Sequence, residues 1–171
     1  RFFSQNTRSD SEYSALGACS YFQLLIFDER KTMAEYFELL LKAGQGDAEA
    51  QFVLGCCCAT GTGVAQDFED AIKWWTEAAE QGYIDAQSTL GIRYYSGEGC
   101  AQDYEKAVEW LTKAAEQGDA KAQTYLGLCY FNATGVRRDF ERVLDLWDKA
   151  ASQGYKPALN FLSQLHQAGV F

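Results

Sequence analysis

Gly82–Gly118 reads GYIDAQSTLGIRYYSGEGCAQDYEKAVEWLTKAAEQG, and the stretches on either side repeat its plan. Gly46, Gly82, Gly118 and Gly154 follow one another at intervals of 36 residues. A fixed period in the range of roughly 20–50 residues marks stacked supersecondary units rather than one globular fold. Such arrays more often offer a long surface to partners than build a catalytic pocket.

Working outward from that stretch, the columns have physical reasons. Ala50, Ala86, Ala122 and Ala158 coincide, as do Leu54, Leu90, Leu126 and Leu162, and Gly55, Gly91 and Gly127 follow the leucines. Tyr94 and Tyr130 come next, so alanine, leucine and aromatic recur at i, i+4 and i+8 on one face of a first helix. A glycine kept inside that helix costs about 1 kcal/mol against alanine and predicts close approach of a neighbouring backbone. Gly61-Thr62-Gly63, Gly97-Glu98-Gly99 and Ala133-Thr134-Gly135 then read as a turn. Asp67, Asp103 and Asp139 stand where a second helix needs an N-cap or first-turn acid. That helix carries Phe68, Tyr104 and Phe140 at its start, then Trp74-Trp75, Trp110-Leu111 and Leu146-Trp147, and ends in Gln-Gly. Each unit has more apolar surface than it can bury alone, so neighbours must stack into an α/α solenoid.

The second unit's Asp85-Ala86-Gln87, Leu90-Gly91, Tyr94, Gly97, Gly99, Asp103, Lys106-Ala107, Trp110 and Lys113-Ala114-Ala115-Glu116-Gln117-Gly118 resemble the Sel-1-like repeat family, relatives of the tetratricopeptide repeat. The resemblance implies an all-α fold, a right-handed α/α superhelix of 36-residue helix-turn-helix repeats. Three full repeats span 46–81, 82–117 and 118–153 within 46–154. A degenerate first repeat is expected over 12–45, with Ala15-Leu16-Gly17 in its first helix, after a frayed segment 1–11. A C-terminal capping helix, a partial fourth repeat, covers 155–171. Pro157 suits its first turn, where a missing N–H costs little. One branch of the family pairs cysteines eight residues apart; Cys19, Cys56, Cys57, Cys58, Cys100 and Cys129 are not so spaced, and that scheme does not carry over.

Three adjacent cysteines do not make a disulfide framework, and no CxxC pair points to zinc. The pattern favours reduced thiols and a cytoplasmic setting; the alternative is a periplasmic or secreted chain with one or two bridges. Arg1 in place of Met reads as a trimmed or processed chain, in which any signal peptide is already gone. The net charge of −9 disfavours nucleic acid and anionic membrane and suits a basic or neutral protein partner. No apolar run approaches the roughly 20 residues of a membrane span; the longest, Tyr21 to Phe27, is interrupted by Gln23.

No group of residues here calls for catalysis, a metal or a cofactor. His166 stands without spaced metal ligands or a catalytic companion. The GTG and GEG fragments lack the lysine-serine pair of a phosphate loop and read as turns. A hydrolase related to β-lactam binding would require Ser-x-x-Lys, and no serine has lysine three residues on. The reading is therefore a protein–protein interaction module, an adaptor, scaffold or inhibitory binder. Family settings for it include toxin-neutralising immunity and host interaction.

In tetratricopeptide-like arrays the first helices line the concave groove, and the resemblance implies the same here. With the leucine and glycine columns in the seam, Glu49, Phe52, Cys56 and Ala59 turn toward the groove in the first full unit. Asp85, Ser88, Ile92 and Tyr95 do so in the second, and Lys121, Thr124, Leu128 and Phe131 in the third. Apolar anchors beside charges suit a peptide- or protein-binding surface. The competing expectation is that several of these side chains pack against the next first helix.

Overall fold

The computed structural model describes residues 33–167. They form eight helices and, among the described residues, no strand: α1 (Met33–Gly44), α2 (Ala48–Thr60), α3 (Phe68–Glu80), α4 (Ile84–Ser96), α5 (Tyr104–Glu116), α6 (Ala120–Asn132), α7 (Phe140–Ser152) and α8 (Lys156–Gln167). The expected frayed start and the helix around Ala15–Gly17 lie outside the described residues. α2, α4 and α6 are the first helices of the three units, and α3, α5 and α7 are the second helices. Each helix packs chiefly on its neighbours in sequence, while α4 also meets α6 directly. The result is a right-handed α/α superhelix, in which contacts run from unit to unit.

The expected aspartates start the second helices. Asp67 accepts from the backbone N–H of Glu69 and Asp70, Asp103 from Lys106, and Asp139 from Arg142, at 2.9–3.1 Å. Asp47 and Asp119 cap α2 and α6 in the same way. The turns after α2 and α4 place Gly61 and Gly97 in the left-handed region, both at φ 72°. Ala133 occupies the same position after α6 at φ 58°. An L residue with a Cβ is strained there by about 1–2 kcal/mol. Ala133→Gly is therefore expected to raise the unfolding free energy by about 1 kcal/mol, offset in part by glycine's greater chain entropy; urea unfolding followed by circular dichroism checks it.

The seam within each unit is a large side chain set against a glycine. Trp75, Leu111 and Trp147 are almost wholly buried, and each lies against Gly55, Gly91 or Gly127 of its own unit's first helix. Between units, Ala78-Ala79 and Ala114-Ala115 are buried where the next first helix, with Ala86 or Ala122, comes close. Small residues at a helix crossing shorten the interaxial distance, and the bulky aromatic then fills what remains.

Glutamines form a second, polar tie. Gln51, Gln87 and Gln123 are buried, and each donates Nε2 to a carbonyl of the preceding helix, Ala43, Ala79 or Ala115, at 3.2, 2.9 and 3.3 Å. Each also accepts at Oε1 from the glutamine ending its own unit's second helix: Gln81, Gln117 and Gln153, at 2.7, 2.7 and 3.0 Å. Both ends of the buried amide are thereby satisfied, which keeps its desolvation from being a loss.

Candidate functional site

The first helices lack the single apolar stripe of a surface helix, because they are walled in on most sides. α4 lies between α3 and α5 and touches α6; eight of its residues in a row, Ala86 to Arg93, are buried. Only part of the expected groove lining is therefore accessible. Phe52, Ser88, Ile92 and Thr124 are buried at 0, 4, 3 and 1% exposure. Phe52 packs on the Tyr83 ring with centroids 5.3 Å apart, and Ser88 donates to the Asp119 carboxylate at 2.8 Å. Thr124 returns its hydroxyl to the Ala120 carbonyl at 2.7 Å. These four side chains are thus inside the fold, and Cys56 and Ala59 are buried as well. Glu49 is exposed, while Asp85, Tyr95, Lys121, Leu128 and Phe131 are half-buried.

The accessible residues fall into two groups. Toward the helix N-termini, Asp85 is influenced by Lys121 and Asp119 of the next unit. Burial raises the Asp85 carboxyl above its ordinary range, Lys121 draws it back down and Asp119 pushes it up again. Toward the C-termini, Tyr95 meets Tyr125 and Tyr104 edge-on at 5.6 and 5.7 Å. Burial pushes its phenol up to about 12, and a hydrogen bond with Asn132 offsets part of this. Phe131 stands 5.9 Å from Phe140 and 5.8 Å from Trp147, whose ring stacks on Phe161 at 5.0 Å. Consecutive first helices thus carry acid with one lysine at one rim and rings at the other. Rings whose edges stay open to solvent contribute area with little rotamer entropy to lose, as binding anchors do.

Two further clusters belong to the packing. Burial raises the Cys58, Cys100 and Cys129 thiols, Cys129 to about 12, which leaves little thiolate near neutral pH. Arg93 stands in the column held elsewhere by Cys57 and Cys129, 4% exposed. Its guanidinium lies 5.8 Å from the Phe68 ring and 5.6 Å from the Trp75 ring, and pairs with Glu98 of the following turn at 2.8 Å. An arginine in a core column was visible in the sequence; its partner, supplied by a turn five residues on, was not. Among the described residues no cluster of His, Cys, Asp and Glu could hold a metal ion, and no helix is long and apolar enough to cross a membrane.

Comparison with known proteins agrees with the repeat seen in the fold. The Sel1 repeat profile matches residues 48–83, 84–119 and 120–155. Among solved structures, a protective antigen of uropathogenic Escherichia coli with the SLR fold, c5321, superposes with a TM-score of 0.74 at 38% identity. That match covers 77% of this chain and 28% of the antigen, so this chain spans well under a third of it. A Sel1 repeat protein from Oxalobacter formigenes superposes with a TM-score of 0.71 at 34% identity, over 77% of this chain and 99% of that one. No match was found among the curated proteins. With three successive matches in register with its helix pairs, the chain belongs to the Sel1 repeat family, whose repeats generally mediate protein–protein interaction.

Proposed function

We propose that the chain holds a partner protein or peptide on the inner face of its first helices, as an adaptor or inhibitory binder without chemistry of its own. The observation that carries this reading is the row of accessible side chains on consecutive first helices: Asp85 and Tyr95 on α4, then Lys121, Leu128 and Phe131 on α6. Glu49 extends the acidic rim onto α2. An extended segment or helix with an apolar anchor and a basic residue beside it complements such a row. The charge of −9 steers a basic partner toward it in a salt-dependent way. Buried Phe52, Ser88, Ile92 and Thr124 support the face from beneath rather than touching the partner.

The test is capture of a partner from the source organism's lysate by the parent chain and by Tyr95→Ala/Phe131→Ala. A third sample carries Glu109→Ala, at an exposed ion pair on a second helix. A partner lost with the double change and kept with Glu109→Ala, at unchanged helical circular dichroism, supports the inner face. Equal retention by all three would move the site to the loops or the outer face. The likeness to a protective antigen favours a second reading, in which the partner is a host protein; running the same capture against host-cell lysate separates the two.

A further inference from the structure

The turn between α6 and α7 departs from the two turns before it. Arg137-Arg138 stand where the earlier units have Ala65-Gln66 and Ala101-Gln102, and Arg142 stands in the column of Asp70 and Lys106. The two glutamines tie their turns down: Gln66 donates Nε2 to the Ala59 carbonyl and Gln102 to the Tyr95 carbonyl, both at 2.8 Å. Arg138 lies over the Phe140 ring, 5.9 Å from its centroid. Arg142 donates Nη1 to the Tyr130 hydroxyl at 2.6 Å, and its Nε stands 3.6 Å from Asp139. All three arginines are exposed, and among the described residues no carboxylate pairs with Arg137 or Arg138.

Phe140, between them in sequence, is 39% exposed. Its counterparts Phe68 and Tyr104 are half-buried, and the turn of the following unit lies on each. Gly99 meets the Phe68 ring and Gly135 the Tyr104 carbonyl, with no room for a Cβ at either. The first of these contacts shows what chemistry fits the column. The turn Gly97-Glu98-Gly99 lays a glycine on the ring and sets its glutamate 2.8 Å from Arg93, whose guanidinium is 5.8 Å from the same ring. Ring, arginine, glycine and carboxylate thus come together once within the chain. Phe140 and Arg138 present the ring and the arginine to solvent.

The charge distribution points the same way. Of the chain's 15 Lys and Arg and 24 Asp and Glu, residues 134–171 hold five and four, a net of +1, and residues 1–133 hold ten and twenty, a net of −10. Arginine suits a carboxylate partner, because its flat, weakly hydrated guanidinium takes one through two parallel N–H bonds. A nucleic acid fits less well. Asp139 and Glu141 stand among the arginines, and the rest of the chain repels phosphates.

We infer that Arg137, Arg138, Phe140 and Arg142 form a second interaction surface, for an acidic protein segment whose glycine-bearing turn covers the Phe140 ring and whose carboxylates pair with the arginines. It does not rest on the inner-face reading, since none of the four belongs to that row. Phe140 adjoins the row through Phe131, 5.9 Å away, so the test leaves both rings in place.

NMR titration of the isotope-labelled full chain tests it, with a glutamate–glycine peptide as the probe. A lysine–glycine counterpart and a single-stranded oligonucleotide run alongside. The acidic peptide is expected to shift the backbone amides of 134–142, with half-saturation at about 1 mM or below. Arg137→Ala/Arg138→Gln should weaken it by about fivefold or more, the effect of two lost exposed ion pairs. That variant carries the Ala-Gln pair that the fold already uses twice, so the turn is kept. Shifts elsewhere or nowhere, or equal affinity in the variant, would overturn the inference. So would an equal response to the oligonucleotide, which would make the patch a phosphate site. The lysine peptide should leave these amides unmoved; movement there would show contact without regard to charge and would equally count against it.

Discussion

Trp147→Ala is expected to lower the unfolding free energy by about 3–5 kcal/mol, the range for emptying a buried tryptophan site. The ring is 2% exposed and lies at the junction of three elements. It sits against Gly127 of α6, 5.8 Å from Phe131 and stacked on Phe161 of α8 at 5.0 Å. Its Nε1 donates to the Thr124 carbonyl at 3.0 Å, a bond that truncation also removes. A fall in melting temperature of roughly 6–20 °C corresponds to that loss. Thermal unfolding by circular dichroism checks it, and a fall of one or two degrees would mean the third seam is not held by this ring.

The second large effect is one of sign. Replacing a helical glycine by alanine ordinarily stabilises by about 1 kcal/mol. At Gly91 it should do the reverse. A Cβ there would stand 2.6 and 2.8 Å from Cγ and Cδ2 of Leu111, and 3.0 Å from the Leu111 backbone nitrogen. The leucine side chain can turn away; the nitrogen moves only if α5 moves. Overpacking of this kind costs about 1–3 kcal/mol, and the backbone contact places Gly91→Ala at the upper end, for a net loss of about 1–2 kcal/mol after the propensity gain. Gly44, the last residue of α1, has nothing within 4 Å of such a Cβ. There alanine should stabilise by about 0.5–1 kcal/mol. Urea midpoints for the two variants moving in opposite directions would establish the seam; both moving upward would show that α5 yields.

The repeat made much of the fold legible. A helix start such as Asp103 and a turn such as Gly97 recur at one spacing, and local chemistry alone accounts for them. The helix glycines were read as signs of a close backbone, and the Leu111 nitrogen, 3.0 Å from where a Cβ on Gly91 would stand, fits that. The greater part of the contact at Gly55 and Gly127 is a tryptophan ring of the same unit, which a one-dimensional pattern could not identify. The glutamine column was visible too, but its bonding depends on residues 30 positions downstream.

The candidate face was harder to read, for a physical reason. A wheel projection assigns sides to a helix with one solvent face, and α4 over Ala86–Arg93 has none. Ser88, Ile92 and Thr124 therefore project toward the groove on paper and are buried in space. Tyr95 and Phe131 stay accessible because they are large and sit near helix ends, where the walls of the stack thin out.

The glutamine ties also determine where this chain can be cut and joined. Each 36-residue unit brings one buried amide that reaches back to the preceding helix and one terminal glutamine that serves it. A unit copied whole, from Gly82 to Gln117, therefore arrives with its donors and acceptors already matched and offers its predecessor and successor the same joints it received. A splice inside a unit separates Gln87 from Gln117 and strands a buried amide. Extension must also stop short of α8, where Leu159 stands in the glutamine column and, at 47% exposure, has no joint to offer. Length in this protein is a quantity that can be changed in whole 36-residue steps between α2 and α7.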